Sequence, residues 1–237
     1  MRHIPNIITS LNLISGFTAI LYALGGDLLT ASWLILAAMI FDFLDGFSAR
    51  LLGAYSELGK ELDSLADMVS FGVAPAVIIH LIMKQNAGAV AHYPQLTQQI
   101  LLFIPVVMPL CAGLRLAIFN VDTRQTTSFR GLPTPANAIA VISLVIVSLL
   151  TGSHAIKALT SSVQAMALIT VTLSLLMVTR IPLLSLKTKH LRFRGNEGRY
   201  LMAVLIFIAF IVLGIRAATL VIPLYIVASL VSLLIKD

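Results

Sequence analysis

Charge is what this chain has least of. Only 11% of its 237 residues are Asp, Glu, Lys or Arg, 59% are hydrophobic, and the mean hydropathy is +1.00. A soluble domain carries roughly 25% charge, so a water-exposed globule is excluded. Cysteine is nearly missing as well. Cys111 stands alone, which leaves no intrachain disulfide, and its apolar neighbours make it a packing residue. The five histidines, His3, His80, His92, His154 and His190, are scattered, and no zinc-type spacing exists. A net charge of +6 raises the question of nucleic acid. In so apolar a chain it reflects inside-positive loops and contact with anionic lipid, and no nucleic-acid partner is expected.

What the chain does have is long apolar runs, each able to cross a hydrocarbon core of about 30 Å as a helix. Eight spans are expected, at roughly 6–25, 30–50, 60–83, 99–120, 135–152, 161–179, 200–216 and 219–235. Kinks at prolines are expected in the fourth and sixth. The last two are joined by a very short turn around Ala217, which demands an antiparallel hairpin. The expected fold is an all-α integral membrane protein, a single transmembrane helical bundle of about eight helices over residues 1–237. The first run begins at Ile4 with no export-type cleavage site after it, and reads as the first span rather than a cleaved signal.

Lys and Arg set the orientation. With the N-terminus in the cytoplasm, thirteen basic residues lie at cytoplasmic ends and three, Lys84, Lys157 and Arg216, on the other side. This bias places both termini in the cytoplasm, in a membrane expected to be of the bacterial inner type. The basic stretch from Lys187 to Arg199 is topogenic in this scheme, and it is suited to drawing anionic lipid toward the surface.

Acid is scarce, yet six of the ten carboxylates fall between Asp42 and Asp67, in DFLDGFSARLLGAYSELGKELDSLAD. Asp42 and Asp45 are three apart and Asp63 and Asp67 four apart, so each pair shares a helix face. The two helices run antiparallel, which lets those faces meet. Four carboxylates converging beside lipid repel one another and resist losing water, and a bound divalent cation relieves both costs. Hard oxygen ligands suit Mg²⁺ or Mn²⁺. Gly46 and Gly59 fall on the acid-bearing faces, where a backbone or flat ligand can come close. Arg50 follows one turn on, a fixed cation suited to a phosphate oxygen. Glu57 and Glu61 fall off the shared face and read as surface charges.

The pattern D-x2-D-G-x2-A-R-x8-G-x3-D-x3-D, carried by Asp42, Asp45, Gly46, Ala49, Arg50, Gly59, Asp63 and Asp67, resembles the signature of the CDP-alcohol phosphotransferases, membrane enzymes of phospholipid synthesis. The resemblance implies that Asp42, Asp45, Asp63 and Asp67 hold two metal ions, Mg²⁺ or Mn²⁺, with Asp42 and Asp63 bridging. It implies that Asp67 is also the general base, and that Gly46, Arg50 and Ser56 hold the CDP part of the donor. Pro5-Asn6-Ile7-Ile8 resembles the family's short motif near the diphosphate, with Asn6 as the contact. A helix-start cap explains the same residues equally well. A homodimer is also implied, as is a catalytic core of about residues 1–180 with an extra C-terminal hairpin at about 200–235.

Two further stretches bear on the acceptor. LDSLADMVSFGVAPA (62–76) and CAGLRLAIFNVDTRQTTSFRGLPTPANA (111–138) resemble the phosphatidylserine synthase branch, although Ile118 stands where that branch often has a second Arg. The resemblance implies transfer of the phosphatidyl group from CDP-diacylglycerol to L-serine. Serine brings a carboxylate and an ammonium, so its pocket should offer cations. Arg115, Arg124 and Arg130 are placed for this, with Asn120 beside them. Glycerol 3-phosphate or an inositol phosphate would also suit basic residues, and either remains an alternative acceptor. Readings outside the family are a cation or proton transporter, and a lipid-binding subunit without activity. Transporters place their acids nearer the midplane, and an intact set of four aspartates argues against an inert subunit.

Overall fold

The structure is a computed structural model that describes residues 3–121, 129–183 and 197–234. Arg124 and most of the Lys187–Arg199 stretch lie outside the described residues, as does the side chain of Arg130. The chain runs α1 (Ile4–Leu24), α2 (Leu28–Leu52), α3 (Glu57–Asp67), a π-helical stretch (Met68–Val73), α4 (Ala74–Gln85), α5 (Gln95–Phe103), α6 (Val107–Val121), α7 (Thr134–Thr151), α8 (His154–Ser161), α9 (Val163–Val178), α10 (Glu197–Leu213) and α11 (Val221–Leu234). A two-residue antiparallel pair, β1 (Phe129–Arg130) with β2 (Pro182–Leu183), ties the start of α7 to the end of α9.

Among the described residues, six helical segments are long and apolar enough to cross a membrane, or seven if the bent pair α8–α9 is one span. The protein is thus an all-helical integral membrane protein. The first five expected spans each coincide with one such segment, and the sixth with the bent pair. Its bend, 84°, falls not at a proline but at Ser162, whose hydroxyl caps α9 by accepting from the Ala165 N–H at 3.2 Å. The kink of the fourth is a 3₁₀ stretch, Ile104–Val106, around Pro105. The count of eight is not matched one for one, because the last two expected spans fall in a single helical segment, Gly198–Val231. That segment is broken by a 3₁₀ stretch, Gly214–Leu220, which starts at a left-handed Gly214 (φ +56°). Helices α10 and α11 pack against each other across the break, and Ala217 is buried within it.

Helix α1 explains how the acidic elements are held. Its buried residues include Pro5, Thr9, Asn12, Gly16, Ala19 and Ala23, alternately four and three apart, and all are small or polar. Lipid is as apolar as leucine, so close approach through small residues replaces hydrophobic sorting as the basis of packing. A Cβ on Gly16 would lie 2.7 Å from the Ser70 Cα, so α1 crosses the π-helical stretch almost backbone to backbone. The α1 face packs on α2, α3 and α4 together. Helix α7 is the other organiser. It is buried from Ala140 to Val147 and belongs to both apolar cores, one shared with α1, α2 and α4, the other with α4, α6, α9 and α11.

Candidate active site

The acids reach their positions through a short connection. Gly53, left-handed at φ +58°, closes α2, and Ser56 caps α3 by accepting from the Gly59 N–H at 3.0 Å. Asp42 lies ten residues before the end of α2, and Asp67 ten after the start of α3. Equal lengths of antiparallel helix bring them to one depth. One carboxylate oxygen each from Asp42, Asp63 and Asp67 lie within 4.8 Å of one another. The π-helical stretch starts directly after Asp67, a local widening of the kind that recurs at functional sites.

Asp45 does not join that group of three. It is buried, 5% exposed, and accepts the Thr9 hydroxyl at 2.6 Å. Asp67, 8% exposed, accepts from the Asn12 side-chain amide at 3.2 Å. Asn12 is itself fixed, since its backbone carbonyl accepts the Ser70 hydroxyl at 3.1 Å. Thr9 and Asn12 are therefore supports that the sequence reading did not single out. Their trace in the sequence is the alternating spacing of small and polar residues along α1.

The three acids open into a cavity of about 750 Å³, the size of a small-molecule site. From α2 it is lined by Gly46 and Arg50, from α3 by Lys60 and Ser64, and from α6 by Arg115 and Asn120. A Cβ on Gly46 would meet nothing within 4 Å, so the space there is open to a ligand. The Arg50 Nε donates to the Gly46 carbonyl at 2.9 Å. Lys60 Nζ donates to the Asn120 carbonyl at 3.0 Å, and the Asn120 amide donates to the Ser64 hydroxyl at 2.9 Å, which stitches α3 to α6.

Among the described residues, three buried polar atoms of the lining have no hydrogen-bond partner: Asp63 Oδ1, Arg115 Nε and Thr134 Oγ1. Buried polar groups are rarely left unsatisfied, so a carboxylate, a guanidinium and a hydroxyl stand ready for a ligand. Thr134 is a further residue that the sequence reading passed over. The three clustered carboxylates, one with an unpartnered oxygen, form a hard-oxygen donor set that fits a divalent cation. None of the described histidines or Cys111 belongs to such a group.

Asn6 and Ser56 sit elsewhere. Neither lines the cavity. A Cβ on Gly59 would come within 3.0 Å of Asn6 Oδ1 and 2.9 Å of Ser56 Oγ, so Gly59 makes room for these two side chains rather than for the acids. Glu57 and Glu61 are exposed. Arg130 lies in β1, where Gly131 (φ +75°) donates its N–H to the Ile181 carbonyl at 3.0 Å. A Cβ on Gly131 would lie 2.5 Å from the Met177 carbonyl oxygen, so only glycine fits where the loop meets α9.

A membrane-embedded, all-helical fold with paired aspartates at matched depth defines a class of lipid headgroup enzymes, and comparison with known proteins agrees. The family model for CDP-alcohol phosphatidyltransferase matches residues 2–179, and the chain belongs to this family. It is 34% identical over 200 residues to a CDP-diacylglycerol–serine O-phosphatidyltransferase of Bacillus subtilis, covering 84% of this chain and 99% of that protein. It is 36% identical over 197 residues to the protein of the same name from Mycobacterium leprae, covering 79% of this chain and 60% of the relative. With archaetidylserine synthase of Methanothermobacter thermautotrophicus it shares 36% identity over 180 residues, 75% of this chain and 68% of the relative. The chain thus spans 60% of the Mycobacterium leprae relative and 68% of the Methanothermobacter one, and nearly all of the Bacillus subtilis one.

Proposed function

We propose that this protein transfers the phosphatidyl group of CDP-diacylglycerol to L-serine and releases CMP. The observation that carries this is the convergence of Asp42, Asp63 and Asp67 in one cavity with Arg115. The names of its relatives point to the same donor and acceptor.

Asp42, Asp63 and Asp67, with Asp45 behind them, would hold one or two divalent cations, Mg²⁺ or Mn²⁺. When bound, such ions neutralise a diphosphate and stabilise the charge on the departing CMP. Arg50 and Lys60 line the same cavity and suit phosphate oxygens, and Gly46 leaves room for the nucleotide. Asn6 and Ser56, which do not line the cavity, are kept as donor contacts on the family resemblance alone. Arg115 is placed for the serine carboxylate, with Asn120 beside it, while Arg124 and Arg130 remain candidates from the following loop. Asp67 serves as the base and is kept in one orientation by Asn12. In a single displacement, the serine hydroxyl oxygen forms a bond to the phosphatidyl phosphorus. The bond from that phosphorus to the CMP oxygen breaks, and the hydroxyl proton passes to Asp67.

The positive bias of the loops supports a cytoplasm-facing site, because donor headgroup and serine then arrive from the cytosol while the lipid tails stay in the bilayer. The family match ends near residue 180, which supports a core of about 1–180 with α10 and α11 as an addition. A homodimer is the family expectation, and cross-linking in native membranes checks it.

The deciding experiment offers serine, glycerol 3-phosphate and inositol phosphate separately, with CDP-diacylglycerol and Mn²⁺, to detergent-solubilised protein. Metal-dependent CMP release with serine alone is expected. Preference for a phosphorylated acceptor would move the assignment within the family. No CMP release under any condition would return the transporter and inert-subunit readings.

A further inference from the structure

The cavity has a wall that lies beyond the family match. The match ends at residue 179, yet Met202, Ile206, Val221, Ile222 and Tyr225 line the same space as the three acids. We propose that the α10–α11 hairpin forms the acceptor-side wall of this cavity, and that Tyr225 is a specificity-determining residue setting which small alcohol reaches Asp67. This rests on the transfer reaction proposed above.

Burial on the hairpin is confined to a few positions. Phe207, Ile211 and Val212 are 67%, 68% and 71% exposed, as suits side chains facing lipid, whereas Ile222 and Tyr225 are 5% and 6% exposed. Ile222, Tyr225 and Ser229 recur at helical spacing and are buried together, so α11 turns one defined face inward. That face meets the cavity where Arg115 from α6 and Thr134 from α7 also line it. Arg115 Nε and Thr134 Oγ1 are buried without hydrogen-bond partners among the described residues. A small zwitterion fits this setting: its carboxylate at Arg115, its ammonium against the ring of Tyr225, since an aromatic face attracts a cation. An acceptor one methylene longer would push on the tyrosine ring. Sites of this kind discriminate a methylene by about 10- to 200-fold.

The test uses full-length protein in mixed micelles with CDP-diacylglycerol and Mn²⁺, following CMP release with serine, homoserine, ethanolamine and glycerol 3-phosphate. Wild type is compared with Tyr225→Phe, Tyr225→Ala, Tyr225→Leu and the lipid-facing control Phe207→Ala. Tyr225→Ala should raise the KM for serine about tenfold and the homoserine-to-serine ratio of kcat/KM by a similar factor. The KM for CDP-diacylglycerol should stay within about twofold. Tyr225→Phe and the control should keep the wild-type ratio, and Tyr225→Leu covers the case in which the alanine variant does not fold. An unchanged serine KM and acceptor ratio, or an equal fall for every acceptor, would overturn the wall. If wild type prefers glycerol 3-phosphate, the serine assignment fails alone, and the wall is judged by the shift in ratio among the acceptors used. No release with any acceptor would overturn both.

Discussion

The segment that carries Asp63 and Asp67 and the hairpin at the C-terminal end follow opposite rules of burial. In Glu57–Gln85, 61% of the most apolar window is buried; in Gly198–Val231 the share is 11%, although the second is the more apolar of the two. In water this ordering would be perverse. In a bilayer it is expected, because lipid solvates apolar side chains and leaves small and polar groups to mediate contact between helices. The acidic segment makes several contacts of that kind, Ser70 against Gly16, Gly72 against Ala112 and Asn12 on Asp67, beside the apolar core residues Phe71, Ile78 and Ile79. Small and polar contacts thus join the helices beside the two apolar cores, while the most hydrophobic segment is the one left at the outer surface.

The largest effects should therefore come from the few polar residues of the interior. Asp67→Asn would remove the proposed base while keeping size and the Asn12 contact within reach. Turnover should fall by about 1,000-fold while CDP-diacylglycerol binding and helicity persist. Retained turnover would show that another group takes the proton. Chelation by EDTA should abolish CMP release in the wild type, with recovery on adding Mn²⁺, if Asp42, Asp63 and Asp67 act as one donor set. Next in size is Gly131→Ala. It combines a left-handed backbone with contacts closer than van der Waals to three carbonyl oxygens of the α9 end, on Leu176, Met177 and Thr179. A loss of about 2–4 kcal/mol is expected, read as a lower midpoint in thermal or denaturant unfolding in micelles.

Much of this was legible in the sequence, and the gaps have a common cause. The membrane helices were readable because apolar runs of spanning length are unambiguous, and the acid pairs because spacings of three and four fix a helix face. Asp42, Asp63 and Asp67 then meet, whereas Asp45, which the same argument put with them, does not join the group. What could not be read were contacts between residues far apart in the chain. That Thr9 occupies Asp45, that Asn12 holds Asp67, and that Tyr225 shares a cavity with Arg115 depend on how α1 and α11 pack. The helical spacing of Gly59 was right, but its face was assigned to the acids when it serves Asn6 and Ser56. The π-helical stretch after Asp67 has no periodicity of its own to betray it. The hairpin break was placed correctly near Ala217, but a turn was expected where seven residues form a 3₁₀ stretch.

A smaller effect sharpens the contrast between catalytic and supporting polar residues. Asn12 is fully buried, and its amide donates to Asp67. Asn12→Ala should cost about tenfold in kcat, the worth of one buried hydrogen bond to a charged group, with little change in either substrate's KM. A drop as deep as that of Asp67→Asn would mean that Asn12 touches substrate itself, and no drop would mean that Asp67 is held by its helix alone.

The smallest effect is expected on the most hydrophobic surface. Phe207 is 67% exposed on α10, where lipid replaces any contact that truncation removes. Phe207→Ala should change stability by less than about 0.5 kcal/mol, against the 3–5 kcal/mol that losing a buried phenylalanine costs in a water-soluble core. Thermal unfolding in micelles and in nanodiscs measures it. A loss of 2 kcal/mol or more would show that this face is covered by protein rather than lipid, and the burial contrast would then describe one chain of a larger assembly.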